Sequence, residues 1–256
     1  MRILIVNDDG INAPGLTVAE EIAAEVGGAG AEIWVVAPAV EKSGASHCVS
    51  YTVPMRVIEM GERRFAIEGY PADCAIAGIR DLMPERPDLL LSGVNRGHNV
   101  AEDAVYSGTV AGAKEGSIQG IKSISLSQYF SAREGDLFDA ARVHGAEAVR
   151  KAMALPWKAD TFYNINFPPC VASETKGFKL APQGTRGGAF RVEAQVSPNN
   201  RKYLWLAHSG GNMGDAGPDA DCALCAEGWV AMTPMRPDLT DHALLAEAQA
   251  AFGAAE

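Results

Sequence analysis

The apolar run Ile3-Leu4-Ile5-Val6 leads directly into Asn7-Asp8-Asp9-Gly10. A continuous apolar run this short reads as a parallel strand covered on both faces, because covering helices leave neither face to solvent. It is too short for a secretory leader, and no apolar run in the chain is long enough to cross a bilayer. The strand gives way to a polar loop with two adjacent carboxylates. That junction constrains the fold class: a buried strand, a polar loop at its C-terminal end, then a helical pattern.

The same order repeats. Residues 16–26 place Ala19, Ile22, Ala23 and Val26 on one helical face, with Glu20, Glu21 and Glu25 elsewhere. Residues 32–37 form a second strand stopped by Pro38. Residues 49–60 and 64–68 read as short extended pieces forming a hairpin. Pro71 suits a helix start, with the helix continuing over 72–83. Next come a strand over 88–92, a helix over 109–119 rich in Ala and Gly, a strand over 123–127 and a helix over 134–153. This order predicts an α/β fold: a Rossmann-like three-layer α/β/α sandwich with a mostly parallel sheet. Beyond it, residues 163–167, 178–181, 203–207 and 229–233 read as strands between Gly/Pro-rich stretches, and 241–252 as a terminal helix. The expected organisation is a single domain, with an α/β core over about 1–155 and a strand-rich part over about 156–256. That second part carries a β-hairpin and helix extension.

The net charge of −10 argues against a broad nucleic-acid surface. The charge is uneven, since residues 176–202 hold six positive side chains against the single acid Glu193. Such a segment either draws an anionic substrate or is a solvated hairpin with cations guarding an exposed edge; the second is the simpler reading. Five scattered cysteines without a secretory leader read as reduced thiols of a cytoplasmic protein. Cys222 and Cys225 form a C-x-x-C, but no second ligand pair accompanies them. They read as two small buried helix residues one turn apart.

In an open parallel sheet, ligands bind where the C-terminal ends of strands open into loops. Three loops qualify: 7–15, 38–47 and 93–108. In the first, Asp8 and Asp9 repel each other and resist desolvation unless a cation compensates. One helix-capping aspartate is the plain alternative, but it leaves the other unexplained. The second loop, Lys42-Ser43-Gly44-Ala45-Ser46, offers hydroxyls for a hard metal or a phosphate, although Ser and Gly there also suit a simple turn. The third runs from a strand end into a helix. Asn95 and Asn99 offer amide carbonyls, and Ser107-Gly108-Thr109 sits where main-chain N–H groups at a helix start bind phosphate. Carboxylate, amide and hydroxyl oxygens suit Mg²⁺, Mn²⁺ or Ca²⁺ rather than zinc. His98 lies among these residues, either as a substrate contact or as a solvent-facing loop residue. No G-x-x-x-x-G-K-[ST] loop and no G-x-S-x-G elbow is present, and Gly28 and Gly30 come after a helix rather than a strand.

Four ordered blocks carry a resemblance: Asn7-Asp8-Asp9-Gly10 with Ala13-Pro14-Gly15; Ser43-Gly44-Ala45-Ser46; Pro71-Ala72-Asp73-Cys74; and Ser92-Gly93-Val94-Asn95 through Tyr106-Ser107-Gly108-Thr109. A fifth is Asp215-Ala216-Gly217-Pro218 with Leu239-Thr240. Over nearly its whole length the chain resembles the SurE family, the survival-protein 5′/3′-nucleotidases. The resemblance implies hydrolysis of nucleoside monophosphates, and of short polyphosphate in some members, with Mg²⁺ or Mn²⁺. It implies Asp8, Asp9, Ser43 and Asn95 as ligands of one divalent metal per subunit. Asn99, Ser107, Gly108 and Thr109 match the phosphate-lining segment. It also implies a homodimer or homotetramer formed by exchange of C-terminal segments. His47, Cys48, Tyr70 and Ala39 depart from the family pattern, and none is a matched metal ligand.

The proposed reaction is attack of a water on phosphorus, with Asp8 or Asp9 as general base. Two other readings stand beside it. A phosphatase with an aspartyl nucleophile calls for Asp-x-Asp after the first strand, and here the aspartates are adjacent. A non-catalytic nucleotide-binding or interaction protein is separated from any phosphatase by phosphate release with and without chelator.

Overall fold

The computed structural model describes residues 1–130, 135–187, 190–208 and 217–253. A central sheet holds strands β1 (Arg2–Val6), β2 (Glu32–Pro38), β3 (Val57–Gly61), β4 (Arg64–Ile67), β5 (Leu89–Arg96), β6 (Ser123–Gln128), β7 (Phe162–Phe167) and β8 (Phe178–Leu180). β9 (Phe190–Val196) and β10 (Lys202–His208) form a separate antiparallel hairpin, and β11 (Val230–Met235) returns to the sheet. The sheet order is β3-β4-β2-β1-β5-β6-β7-β11-β8. β4, β2, β1, β5, β6 and β7 run parallel; β3 is antiparallel to β4, and β11 to β7. Strands beyond residue 155 thus extend the same sheet.

Helices α1 (Pro14–Gly27) and α5 (Asp139–Ala154) cover one face; α2 (Pro71–Ala77) and α4 (Gly108–Ile118) cover the other. α3 (Asp103–Tyr106), α6 (Asp221–Ala226) and α7 (His242–Gly253) complete the set. The expected three-layer sandwich with hairpin and terminal helix is therefore found. Among the described residues no helix is long and apolar enough to cross a membrane.

The two faces of the sheet differ chemically. Ile3, Ile5, Leu89, Leu91, Ile124, Leu126 and Ile165 form one core with α1 and α5. The α4 side carries Ser92, Ser123 and Ser125, all fully buried. There α4 lies close to the sheet, as its Ala/Gly content predicts. A methyl at Gly112 would meet Ser92 Oγ at 2.7 Å, and one at Gly116 would overlap Ser123 Oγ.

Local departures from the sequence reading have physical causes. α1 begins at Pro14 rather than residue 16, because the fixed φ of proline suits the first helical position. Of the extended piece expected over 49–60 only β3 forms, and Pro54, which lacks a donor, lies in the part that stays outside the sheet. The helix from Pro71 changes to a wide π turn over Gly78–Leu82. β5 extends four residues past the expected end at Ser92. Its register with β6 shifts between Ser92 and Asn95, where Gly93 adopts φ +133°. A glycine interruption of this kind hides a bulged strand from pattern reading. Residue 134, the expected start of α5, lies outside the described residues.

Candidate active site

The chain runs outward from β1 through β2 to β4, then returns to β5 on the other side of β1. The loops after β1 and β5 therefore part at a topological switch point, where a crevice opens at the strand ends. Asp8 and Asp9 leave one strand there, and Asn95 the other. Asn7 shapes the first loop: its Nδ2 donates to Gly10 O at 2.8 Å, and its Oδ1 accepts from Gly10 N at 3.2 Å. Lys42 N donates to Asp8 O at 2.7 Å, which ties the Ser43 loop to the aspartate loop. Ser46 is anchored to the loop before α4, its N–H donating to Tyr106 O at 2.9 Å.

One cleft of about 430 Å³ gathers Asp8, Ser43, Asn95, Asn99 and Ser107. Asp9 borders an adjoining cleft that shares Ser43 and Arg96 with the first. Gly108 and Thr109 do not line the cleft; they stand behind Asp8. A methyl at Gly108 would lie 2.7 Å from Asp8 Cβ. The Thr109 hydroxyl, fully buried, donates to Asp8 Oδ1 at 2.5 Å. Ser107 caps α4, its Oγ accepting from Val110 N at 3.0 Å. Ser107, the N-cap, is thus the residue of the helix start that lines the cleft.

Asp8 is 3% exposed, so its carboxyl is largely out of water. Burial pushes its pKa up to about 6, with the Thr109 hydroxyl opposing and the Asp9 charge adding to the rise. Asp9 is raised as well, chiefly by burial, against the hydrogen bond from Arg96 N–H. That bond is 3.1 Å long and reaches Oδ2.

Two carboxylates held at one site, both resisting ionisation, fit a cation between or beside them. The neighbouring donors are of the matching kind. Asn95 donates through Nδ2 to Gly97 O at 3.1 Å, which leaves its carbonyl oxygen for a ligand. Ser43 contributes a hydroxyl, now bonded to Glu41 at 2.9 Å. Among the described residues no group of three or more His, Cys, Asp or Glu is placed to hold a metal. A cation here would rest on two carboxylates with hydroxyl and amide oxygens, a hard donor set suited to Mg²⁺ or Mn²⁺.

The cleft is also lined by the aromatic side chains Tyr106, Tyr129, Phe130 and Phe190, and by His98. Tyr106 and Phe190 meet edge to face with centroids 5.1 Å apart. The His98 ring packs on Tyr129 at 4.3 Å, and its Nδ1 lies 3.0 Å from Asp103 Oδ2. Buried Arg186 pairs with the same carboxylate. The positive segment over 176–202 is thus divided. β9 and β10 are an exposed hairpin, but Arg186 turns inward behind the cleft.

Reading the sequence alone missed Asp103, Arg186 and the aromatic rim, which are brought in by distant segments without a local motif. It also missed Asn164 and Asn166. A signal for these existed: β6 and β7 alternate polar and apolar residues although both are fully buried. Cys222 and Cys225 lie buried on α6. Of the fifth block, Asp215 and Ala216 lie outside the described residues.

The family model described as Survival protein SurE matches residues 3–189. The 5′-nucleotidase SurE of Dinoroseobacter shibae is 54% identical over 98% of this chain and 100% of its own. That of Ruegeria pomeroyi is 49% identical over 95% and 97%. A crystal structure of the SurE protein from Aquifex aeolicus superposes with a TM-score of 0.81 at 33% identity, covering 96% of this chain and 98% of that one. A match of this extent, on a fold that sets the aspartate pair at the switch point, places the chain in the survival protein SurE family.

Proposed function

We propose that this chain is a cytoplasmic, divalent-metal-dependent phosphomonoesterase that converts nucleoside 5′-monophosphates to nucleoside and phosphate. Nucleoside 3′-monophosphates and short polyphosphate are the further substrates its family implies. The observation that carries this reading is the buried Asp8 carboxyl, which shares one cleft with Ser43, Asn95 and the capped start of α4. The names of the relatives support the activity, and five free thiols support a reducing compartment.

In this reading Asp8, Asp9, Ser43 and Asn95 hold one Mg²⁺ or Mn²⁺. Such an ion, when bound, supplies Lewis-acid activation of a phosphoryl oxygen and of water. The chain's own groups do the rest. Ser107 and Asn99, which line the cleft, take the phosphate oxygens, with the positive end of α4 behind Ser107. Asp8 or Asp9 accepts the proton of the attacking water. The bond from phosphorus to the nucleoside oxygen breaks as the new P–O bond forms, and that oxygen takes a proton from solvent water to leave as the nucleoside hydroxyl. The aromatic side chains that line the cleft receive the nucleoside, since an aromatic face stacks on any base.

We also read the chain as one α/β domain whose part beyond residue 155 supplies assembly elements for a homodimer or homotetramer. Two observations support this. None of the α7 residues is buried. The hairpin leaves Val192, Tyr203, Trp205 and Leu206 exposed. Apolar surface of that extent belongs at an interface.

The test is phosphate release from a nucleotide panel with added Mg²⁺ or Mn²⁺ and with chelator. Release that depends on metal, and is lost in Asp8→Asn and Asp9→Asn, supports the reading. Undiminished release with chelator, or near-full rates in both variants, overturns it.

A further inference from the structure

β7 is buried along its whole length, yet it carries two amides. Asn164 and Asn166 are both 0% exposed. Apolar side chains would fill that space without any need for partners, so each buried amide calls for an account of its bonds. All but one of the bonds in this network lead to one residue, Asn99. Asn166 Oδ1 accepts from Asn99 N at 2.7 Å, and Asn166 Nδ2 donates to Asn99 O at 3.3 Å. One side-chain amide thus grips both main-chain groups of Asn99, as a neighbouring strand would. Asn164 Nδ2 donates to the same carbonyl at 2.7 Å, and its Oδ1 accepts from Ser125 Oγ at 2.9 Å. Ser127 Oγ accepts from Asn99 Nδ2 at 2.7 Å.

The sheet sets this arrangement. Asn95 on β5, Ser127 on β6 and Asn166 on β7 are register partners in one row across three strands. Ser125 and Asn164 form the next pair on the same face of the sheet, two residues along. On the far side Asn166 faces Ala231 of β11, whose small side chain leaves room for an amide. The row therefore begins at a proposed metal ligand and ends at the group that fixes Asn99, and both Asn95 and Asn99 line the same cleft. With one hydrogen of Asn99 Nδ2 given to Ser127, the second is available to a phosphate oxygen.

We propose that Asn166, with Asn164 beside it, is a positioning residue of the reaction: its amide clamps the main chain of Asn99 and so sets the Asn99 side chain against the substrate phosphate. This role rests on the phosphatase reading of the cleft.

Asn166→Leu removes both clamp bonds at nearly constant volume. It is compared with Ile165→Ala, a buried change on the other face of the same strand. AMP hydrolysis at saturating Mg²⁺ gives KM and kcat, and inorganic phosphate as inhibitor gives its inhibition constant. In Asn166→Leu both KM and the inhibition constant rise about tenfold or more, as displaced positioning groups do, while the Mg²⁺ requirement is kept. Ile165→Ala loses thermal stability with KM unchanged. Amide exchange of the segment over 97–101, measured without substrate, accelerates in Asn166→Leu alone. Asn164→Ala, which removes only one bond to Asn99, moves the same quantities in the same direction by less, and it serves if the leucine variant does not fold. Equal KM values in the Asn166 and Ile165 variants, or unchanged exchange over 97–101, overturn the proposal while wild-type hydrolysis stands. A wild type that releases no phosphate from AMP or from any other nucleotide of the panel overturns the phosphatase reading, and this role with it.

Discussion

The hydroxyl of Thr109 and the carboxylate of Asp8 share a 2.5 Å hydrogen bond that joins the first turn of α4 to the loop after β1. The donor is fully buried and the acceptor nearly so, so neither is offered water as a substitute. A charge-assisted bond of this kind fixes the direction of the carboxylate. Thr109 thus serves the site through Asp8. Thr109→Val keeps the shape and removes the donor. We expect kcat/KM for AMP to fall by about 10²-fold, the scale for loss of one preorganised donor, and the Mg²⁺ concentration for half-maximal rate to rise. Steady-state rates over a metal titration check both. Rates equal to wild type at all metal concentrations would show that Asp8 needs no such tether.

Gly108 sits against the same carboxylate. An alanine there would bring its methyl to 2.7 Å from Asp8 Cβ and 3.1 Å from Pro71 Cγ. Both atoms are close to their backbones and cannot swing away, so either α4 or the aspartate loop must move. Overpacking of this kind costs about 1–3 kcal/mol. Gly108→Ala should lower the melting temperature and reduce activity by more than the stability loss explains. Gly61→Ala, with open space around its site, is the matched control and should leave both unchanged. Thermal melts and assays on the two variants decide.

Much of this site was open to sequence reading because its parts obey local rules. An apolar strand ending in two carboxylates, a hydroxyl loop and an Ala/Gly helix with Ser107 before it each have a short-range signature. The hidden parts depend on contacts between distant segments. Asn95 is on a strand, not in a loop, and only the pairing of β5 with β6 past Gly93 reveals this. Asn164 and Asn166 read as strand residues; their bonds to Asn99 span 65 and 67 positions. In the sequence Arg186 is one cation of a positive segment, and its burial depends on Asp103, 83 residues away. The sequence does not delimit β9, because its side chains are exposed on both faces and leave no inside–outside alternation.

Asp8 also predicts a pH dependence. Its pKa is raised from 3.8 to about 6 in the fold, so the folded state disfavours the charged form. The resulting destabilisation is absent below the unfolded value and complete above the folded one. A two-unit rise corresponds to about 3 kcal/mol at most. With chelator present, stability should therefore fall as pH rises from about 4 to about 6, relative to Asp8→Asn. The variant keeps the volume and an acceptor for Thr109, so at pH 8 without metal it should be the more stable protein. Added Mg²⁺ or Mn²⁺ should raise the melting temperature of the wild type and leave that of the variant unmoved. Calorimetry at pH 4 and pH 8, with metal and with chelator, tests the sign. A variant less stable than wild type at pH 8 in chelator would rule out the burial cost as the dominant effect.

The terminal helix α7 buries no residue against its own chain, and Leu244 and Phe252 are 59% and 75% exposed. Leu239, just before it, is 91% exposed. An isolated helix of 12 residues is marginal in water, because nucleation costs more than so few bonds return. On the assembly reading proposed above, an apolar surface of a second copy supplies the missing stability. A groove of about 790 Å³ opens where the segment leaves β11, lined by Val105, Val110, Phe162, Leu180 and Met235. A second copy offers both the helix and the groove, and a two-fold pairing lets each cover the other. Deleting residues 238–256 should then shift the protein to smaller species in light scattering. It should also increase binding of an apolar dye, since the groove loses its cover. The Asp8 cleft lies elsewhere, so any surviving monomer should still bind metal. A truncated protein that stays soluble with the mass distribution of the full chain would show that α7 plays no part in assembly.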